Sequence, residues 1–241
     1  MKTIKIIIIF LIAGNFATAQ TDSVSVKKEK KEISYGPDKT HFVHAYFNFM
    51  FAVPPSEGTD ADIFYGKSHT FSYGVRYKLK IANFFSVGAG LNYTYKVWHF
   101  KQNDDKKIPT SNIYDKEKLK INILGADVFI RFNFGKNKKS PVGNYVDIGA
   151  YGDWDFSDSR QYKNFVNISD TEGYSTFIGS EKNLNYLEKI NYGAEFRAGY
   201  GRVVLFSKYR ISDIFTQDYK NTVSADELPR LMIGLEIGFH K

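Results

Sequence analysis

Five histidines, His41, His44, His69, His99 and His240, are the side chains best suited to acid–base work in this chain. A turn centred near Asn83 would set His69 and His99 roughly opposite each other at one rim of a hairpin. With Asp104 or Asp105 from the next loop they could hold a metal ion or take a proton. The plainer reading makes them interfacial polar residues beside Trp98 in an aromatic girdle. His41, His44 and His240 fall towards the other end. The stretch Asp153-Trp154-Asp155-Phe156-Ser157-Asp158 resembles the opening of a calcium loop. It lacks glycine at the sixth position and an acid at the twelfth, where Asn164 stands, so it is not an EF-hand. Loose divalent-ion binding by Glu57, Asp60 and Asp62 stays open as an alternative. There is no cysteine, which excludes thiol nucleophiles, disulfides and zinc–thiolate sites. Gly88-Ala89-Gly90 falls inside a strand rather than in a phosphate-cradling loop. No catalytic residue, metal site or cofactor is therefore assigned.

The elements that would position these residues begin after an address. Lys2 and Lys5 precede the apolar run Ile6 to Ala13, and Ala17-Thr18-Ala19 offers a cleavage site before Gln20. Residues 1–19 read as a secretory signal peptide, too short in its apolar part to span a membrane. The segment 20–39 carries Lys27, Lys28, Glu29, Lys30, Lys31 and Glu32 and reads as a flexible periplasmic tail. Formal charge is +7, and two lysines of the leader account for part of it. The remainder is dispersed, without the basic stripe a nucleic-acid partner needs.

Residues 40–241 repeat one pattern: period-two alternation over roughly ten residues and then a turn. Transmembrane strands need about 9–11 residues with apolar side chains towards lipid. Eight such strands are expected, near 41–53, 69–81, 85–99, 117–134, 144–156, 187–200, 202–214 and 229–240. The second places Phe71, Tyr73, Val75, Tyr77 and Leu79 on one face against Ser72, Gly74, Arg76, Lys78 and Lys80 on the other. In the fourth, Leu119, Ile121 and Ile123 are followed by Ala126, Val128, Ile130 and Phe132 in the opposite phase, so a β-bulge is expected near Leu124-Gly125. Connections after even strands are short and those after odd strands long, the arrangement of a membrane barrel entered and left from the periplasm. The expected fold is all-β, an eight-stranded antiparallel up-and-down transmembrane β-barrel. Its 17% aromatic content, with 21 Phe and 17 Tyr, suits a chain with two membrane interfaces. Lys136, Lys138 and Lys139 read as a solvated periplasmic turn, with anionic headgroup contact as the alternative.

The inward faces carry Arg76, Lys78, Lys96, Arg131, Arg197, Lys208 and Arg210 against Asp127, Asp147, Asp153, Glu195 and Glu236. Unpaired charges in a narrow interior would cost several kcal/mol each, so these should pair into a salt-bridged plug. A proton or ion path is the alternative use. Apolar residues for a greasy ligand tunnel are not expected inside.

Three stretches then resemble a known family: Leu119-Lys120-Ile121-Asn122-Ile123-Leu124; Tyr192-Gly193-Ala194-Glu195-Phe196-Arg197-Ala198-Gly199 with Ser207-Lys208-Tyr209-Arg210; and Arg230 to Phe239. The chain is similar there to the small outer-membrane barrels of Bacteroidota, the PorT-like group. The resemblance implies an outer-membrane location and, for some members, service to a secretion or gliding apparatus. The ending, with Gly234, Ile237 and Phe239, also resembles the signal read by barrel-insertion machinery, although Met232 replaces the usual polar residue and His240-Lys241 follow the aromatic.

The expected partners are outer-membrane lipid, the insertion machinery and proteins docking on outer loops or the periplasmic face. The long connection 157–186 offers Phe165, Val166, Tyr174, Phe177 and Ile178 as anchors. The leading expectation is a non-enzymatic barrel acting by such contacts. The alternatives are a part in secretion or gliding, a rim hydrolase or acyltransferase built on His69 and His99, and a narrow channel.

Overall fold

A computed structural model describes residues 34–55, 62–135, 142–168, 173–223 and 227–239, the side chains of 166–168, 173 and 174 excepted. The leader, the Lys27–Glu32 tract, Glu57, Asp60, the Lys136–Lys139 cluster and His240 lie outside those residues.

Alternating side chains make each strand two-faced, and closing the sheet lets one face meet lipid and the other fill the centre. Strands β1 (His41–Ala52), β2 (His69–Lys80), β3 (Phe85–Phe100), β4 (Lys116–Asn133) and β5 (Asn144–Ile168) pair in chain order. Strand β6 (Gly173–Lys182) folds back on upper β5 outside the ring. Strand β7 (Ile190–Tyr200) pairs with lower β5, and β8 (Val203–Arg210) and β9 (Leu231–Phe239) follow. All pairings are antiparallel, and β9 joins β1 from Ala45↔Phe239 to Ala52↔Met232. The resulting ring of eight has no open edge, as the hydrocarbon of a bilayer requires.

Tight turns lie at one end. The β7–β8 reversal uses Gly201 at φ 65°, a left-handed conformation that favours glycine. At the closing seam, a Cβ on Gly234 would sit 1.9 Å from the Phe49 carbonyl oxygen, so only glycine lets β9 approach β1 this closely.

Three expectations need correction. The connection 157–186 is not a loop: β5 runs on to Ile168 and β6 returns beside it, pairing Ser159↔Lys182 through Ile168↔Gly173. The connection 215–228 contains a short helix, α1 (Gln217–Val223). The bulge is not on β4, whose register with β3 runs unbroken from Phe85↔Phe132 to Phe100↔Glu117. It lies on β5: Asn122 pairs with Ser157 and Ile123 with Asp155, leaving Phe156 as the extra residue. The apparent change of phase on β4 is instead a change of lining. Leu119, Ile121 and Ile123 are buried inside, whereas Val128 is 60% exposed outside.

The outer half of the interior is thus apolar, contrary to expectation. Met50, Trp98, Phe100, Leu119, Ile121, Ile123, Phe206 and Met232 meet Ile63, Ile108, Leu184, Leu187, Ile214, Phe215 and Leu228 from the connecting segments. Long outer loops need somewhere to bury their own apolar side chains, and the barrel mouth supplies it. Trp98 belongs to this cap at 2% exposure and takes no part in a girdle.

Candidate functional site

The interior is stacked in three layers, each set by the inward positions of neighbouring strands. Nearest the periplasm, Arg131 on β4 grips Asp147 on β5 with two prongs, Nε to Oδ1 at 2.7 Å and Nη2 to Oδ2 at 2.8 Å. Arg197 on β7 donates to Asp127 at 2.9 Å, reaches Asp147 at 3.3 Å and donates to Glu195. Arg76 on β2 takes Glu236 on β9 at 2.5 and 3.1 Å, with Asp127 at 3.9 Å. Four acids and three guanidiniums therefore form one connected network. Aromatic faces support the cations: Arg131 lies 3.5 Å from the Tyr145 ring centroid, Arg76 4.0 Å from Tyr46 and Arg197 4.7 Å from Phe129. Below this layer, Lys78 donates to the Pro37 carbonyl at 2.6 Å and Lys80 pairs with Asp38 at 3.2 Å, so the segment leading into β1 lies across the periplasmic mouth.

The middle layer holds Lys96, Lys208, Arg210, Asp153 and Asp155. Lys208 stands 3.6 Å from Asp153 and 4.1 Å from the Tyr151 ring centroid, while Asn191 donates to Asp155 at 3.1 Å. Arg210 turns upward and donates to the carbonyls of Leu228 and Ser212 at 2.7 and 2.8 Å. The space left among Lys96, Trp98, Asp153, Lys208 and Arg210 is about 20 Å³, room for about one water.

The apolar cap forms the third layer, and charged ties fasten its loops. Glu117 at the top of β4 takes Lys106 from the β3–β4 loop and Arg160 from upper β5, each at 2.5 Å. Arg160 also donates to Thr110 Oγ1 at 2.8 Å, and the Tyr219 hydroxyl donates to the Pro109 carbonyl at 2.7 Å. In the β8–β9 loop, Asp213 pairs with Arg230 at 2.5 Å and with Lys220 at 2.9 Å. The Lys220 hydrogen bond, with help from Arg230, draws the Asp213 carboxyl down to about 2. Burial raises neighbouring Glu227 instead.

Outside, apolar residues face lipid between two bands of rings. Tyr77, Phe84, Phe85, Phe132, Phe134 and Tyr200 form the periplasmic band. In the outer band, the rings of Tyr73 and Tyr93 lie 5.4 Å apart, Tyr93 and Phe156 6.3 Å, and Phe156 and Trp154 6.2 Å. Paired aromatic belts mark the two interfaces of a bilayer.

Residues 41–240 match the family described as outer membrane protein beta-barrel domain. The chain belongs to that family. Among solved structures it is similar to Ail, the attachment invasion locus protein of Yersinia pestis, crystallised with the heparin analogue sucrose octasulfate. That likeness has 11% identity and a TM-score of 0.30 over 81% of this chain and 94% of that one. A second structure of Ail gives 7% identity and the same TM-score of 0.30 over 83% and 95%. OmpF of Salmonella typhi with daunomycin gives 7% identity and a TM-score of 0.18 over 84% and 98%. No curated protein sequence matches.

This outer membrane β-barrel places its sequence-derived candidates unevenly. The twelve inward charges named from the sequence all line the lumen, and the contacts above join most of them. Asp155, Glu117, Arg160 and Lys106 were missed. Continuing the alternation from Asp153 finds Asp155, but the mistaken phase on upper β4 hid Glu117. His69 and His99 are not opposed across a hairpin at a catalytic distance; they stand diagonally on the outward face, where His69 pairs with Val97. His69 Nδ1 contacts the Lys67 carbonyl at 2.7 Å, and the His99 amide donates to Ser68 Oγ. Among the described residues no three potential ligands gather for a metal ion. The hairpin anchors divide between two faces. Phe165 and Ile178 point outward with Lys163, whereas Phe177 packs towards Tyr162 above the mouth at 6.2 Å. The side chains of Val166 and Tyr174 lie outside the described set. Gly234, Ile237 and Phe239 sit on β9, the last two facing outward at 45% and 61% exposure.

Proposed function

We propose that this chain is a closed, non-enzymatic outer-membrane barrel that works by contact at its external face, through the β5–β6 hairpin. The carrying observation is the length of β5. Its pairing with β7 ends at Trp154↔Ile190, yet the strand continues to Ile168. Residues 155–168 add roughly 45 Å of strand at about 3.3 Å per residue. Pairing with β7 needs none of that length: residues 155–163 stay paired with β4 and wall the cap, and beyond them β5 and β6 project as an exposed sheet, a surface for recognition.

The filled lumen supports the same reading over a use in transport. Three guanidiniums bound to four carboxylates block the periplasmic half, and an apolar cap fills the outer half. Export by a leader cleaved before Gln20, and insertion guided by Gly234, Ile237 and Phe239, complete the proposal. The PorT-like resemblance extends it to a docking platform for a secretion or gliding apparatus; normal secretion in a deletion strain would remove that extension.

The test replaces 163–178 with a tight turn and places a photo-crosslinking residue at Phe177 in the intact protein. The shortened barrel should insert and resist protease as before. The Phe177 probe should give one discrete protein adduct in intact cells, abolished by competition with the isolated partner. A barrel with no adduct, or one showing discrete conductance steps in planar bilayers, overturns the proposal.

A further inference from the structure

Above the outer aromatic band, the outward face changes from apolar to cationic within three rungs. His69, Val97, Lys120 and Ser159 share the first rung. His99, Lys118 and Gln161 share the next, and Lys116, Lys163 and Ile178 the third. Lys67 joins from the end of the β1–β2 loop, its Nζ 4.7 Å from the Phe64 ring centroid. Five lysines, Lys67, Lys116, Lys118, Lys120 and Lys163, thus gather on one side of a short stretch of sheet.

The acids nearby leave them with a net positive charge. Among the described residues none of the five makes an ion pair. Glu117, between Lys116 and Lys118 in sequence, points inward at 2% exposure and is held by Lys106 and Arg160. Asp158 also points inward, against Lys189. Asp115 is the acid on this side, and its Oδ2 accepts the Phe165 amide at 2.5 Å. Lys116 and Lys163 are direct cross-strand partners, an arrangement that weakens a sheet when both are charged. A groove of about 440 Å³ opens among Lys67, Lys116, Lys118 and Lys163, with Phe64, Phe100, Tyr162 and Ile178 in its walls; Lys120 stands one rung below Lys118 on the same face.

Depth identifies the occupant. The rung beneath Lys120 carries Asn122 and Tyr95, and below it stand Tyr93, Leu124 and Trp154. Same-face rungs are about 7 Å apart. The lysines therefore begin one rung above Tyr95 and two rungs above the ring of Tyr93 and Trp154 that sits at headgroup level. Cations at that depth face the charged part of the outer leaflet rather than its acyl chains or bulk water.

We propose that this groove binds the phosphorylated saccharide headgroup of an outer-leaflet lipid. Its phosphates lie between Lys118 and Lys163 in the groove and Lys120 one rung below, and its acyl chains descend over Tyr95, Tyr93 and Trp154. The apolar walls take the upper part of the lipid, and the bound anion relieves repulsion among the lysines.

The full barrel, refolded in non-ionic detergent, is titrated with bisphosphorylated lipid A, with its dephosphorylated form and with inorganic phosphate. Binding to bisphosphorylated lipid A should weaken about 100-fold in the triple variant Lys118→Gln, Lys120→Gln, Lys163→Gln, since each lysine near an anionic surface is worth about a fivefold factor. Removing the phosphates from the lipid should have an effect of the same order. Arg202→Gln, in a periplasmic turn, should leave the Kd unchanged. The triple variant should keep or raise its urea midpoint, because like charges have been removed. Equal affinity for the two lipid forms overturns the proposal, as does unchanged binding by the triple variant. Saturation of the groove by inorganic phosphate, or by a sulfated polysaccharide with no lipid binding, overturns it equally.

Discussion

Arg76 and Glu236 are 160 residues apart in the chain and joined at 2.5 Å inside the barrel. Arg76 lies on β2 and Glu236 on β9, so their bond passes over the inner face of β1 and fastens the three strands at the closing seam. Strand pairing alone would close the ring; this pair also fixes how far the seam can open. Breaking it on one side leaves a charge with no water to receive it.

Arg76→Leu or Glu236→Leu alone should therefore cost about 3–5 kcal/mol. The double leucine variant should cost much less than the sum, because neither charge is then stranded. Urea unfolding of the barrel in vesicles measures all three. Additive losses would show that the two side chains do not act as a pair.

The two tryptophans report the two faces. Trp98 is 2% exposed inside the cap and Trp154 is 52% exposed on the lipid side. Brominated lipid should quench the Trp98→Phe variant, which keeps Trp154, strongly. It should leave the Trp154→Phe variant nearly unquenched. Equal quenching of both would contradict the direction in which β3 and β5 face.

Gly234 and Phe239 should separate closure from insertion. Gly234→Ala places a methyl against the Phe49 carbonyl, and overpacking of this kind costs about 1–3 kcal/mol. It should lower folded yield both in cells and in refolding into vesicles. Phe239→Ala removes an exposed outward ring, so refolding in vesicles should be normal while insertion in cells slows. Normal cellular insertion of Phe239→Ala would remove Phe239 from the insertion signal.

The β8–β9 loop should hold through moderate acid. Lys220 and Arg230 lower the Asp213 pKa from its ordinary 3.8 to about 2. A lowered folded pKa gives stability that is present above 3.8 and lost as pH falls through about 2. Pepsin should leave residues 211–230 intact near pH 4 and cut them near pH 2, and Asp213→Asn should be cut at both. Identical cleavage of both proteins across that range would assign the loop's order to other contacts.

The ring was legible wherever one face met lipid and the other met charge. On β2, Tyr73, Val75 and Tyr77 against Ser72, Arg76 and Lys78 leave a single orientation. The same rule failed on upper β4, where Leu119, Ile121 and Ile123 face inward. Alternation reports that two faces differ, not which of them is the outside, and an apolar cap looks like an apolar exterior. It failed again on upper β5. Arg160, Gln161, Tyr162, Lys163 and Asn164 are polar on both sides because both sides stand above the hydrocarbon layer, so no periodicity marks the strand. The lysine groove was invisible for a further reason: Lys67, Lys118 and Lys163 meet only through strand register and the Phe156 offset, which no short window of sequence contains.

Phe156 is the residue of β5 on which nothing above it depends for its direction. Asp155 faces inward opposite Ile123 and Ser157 outward opposite Asn122, so cutting Phe156 out would join them in ordinary alternation. Asp158 and Arg160 would still enter the cap, and Lys163 and Phe165 would still face outward. What the offset adds is one more ring: Phe156 stands outward between Tyr93 and Trp154. The wall thus carries a grafted anchor at the membrane surface without turning any neighbour around.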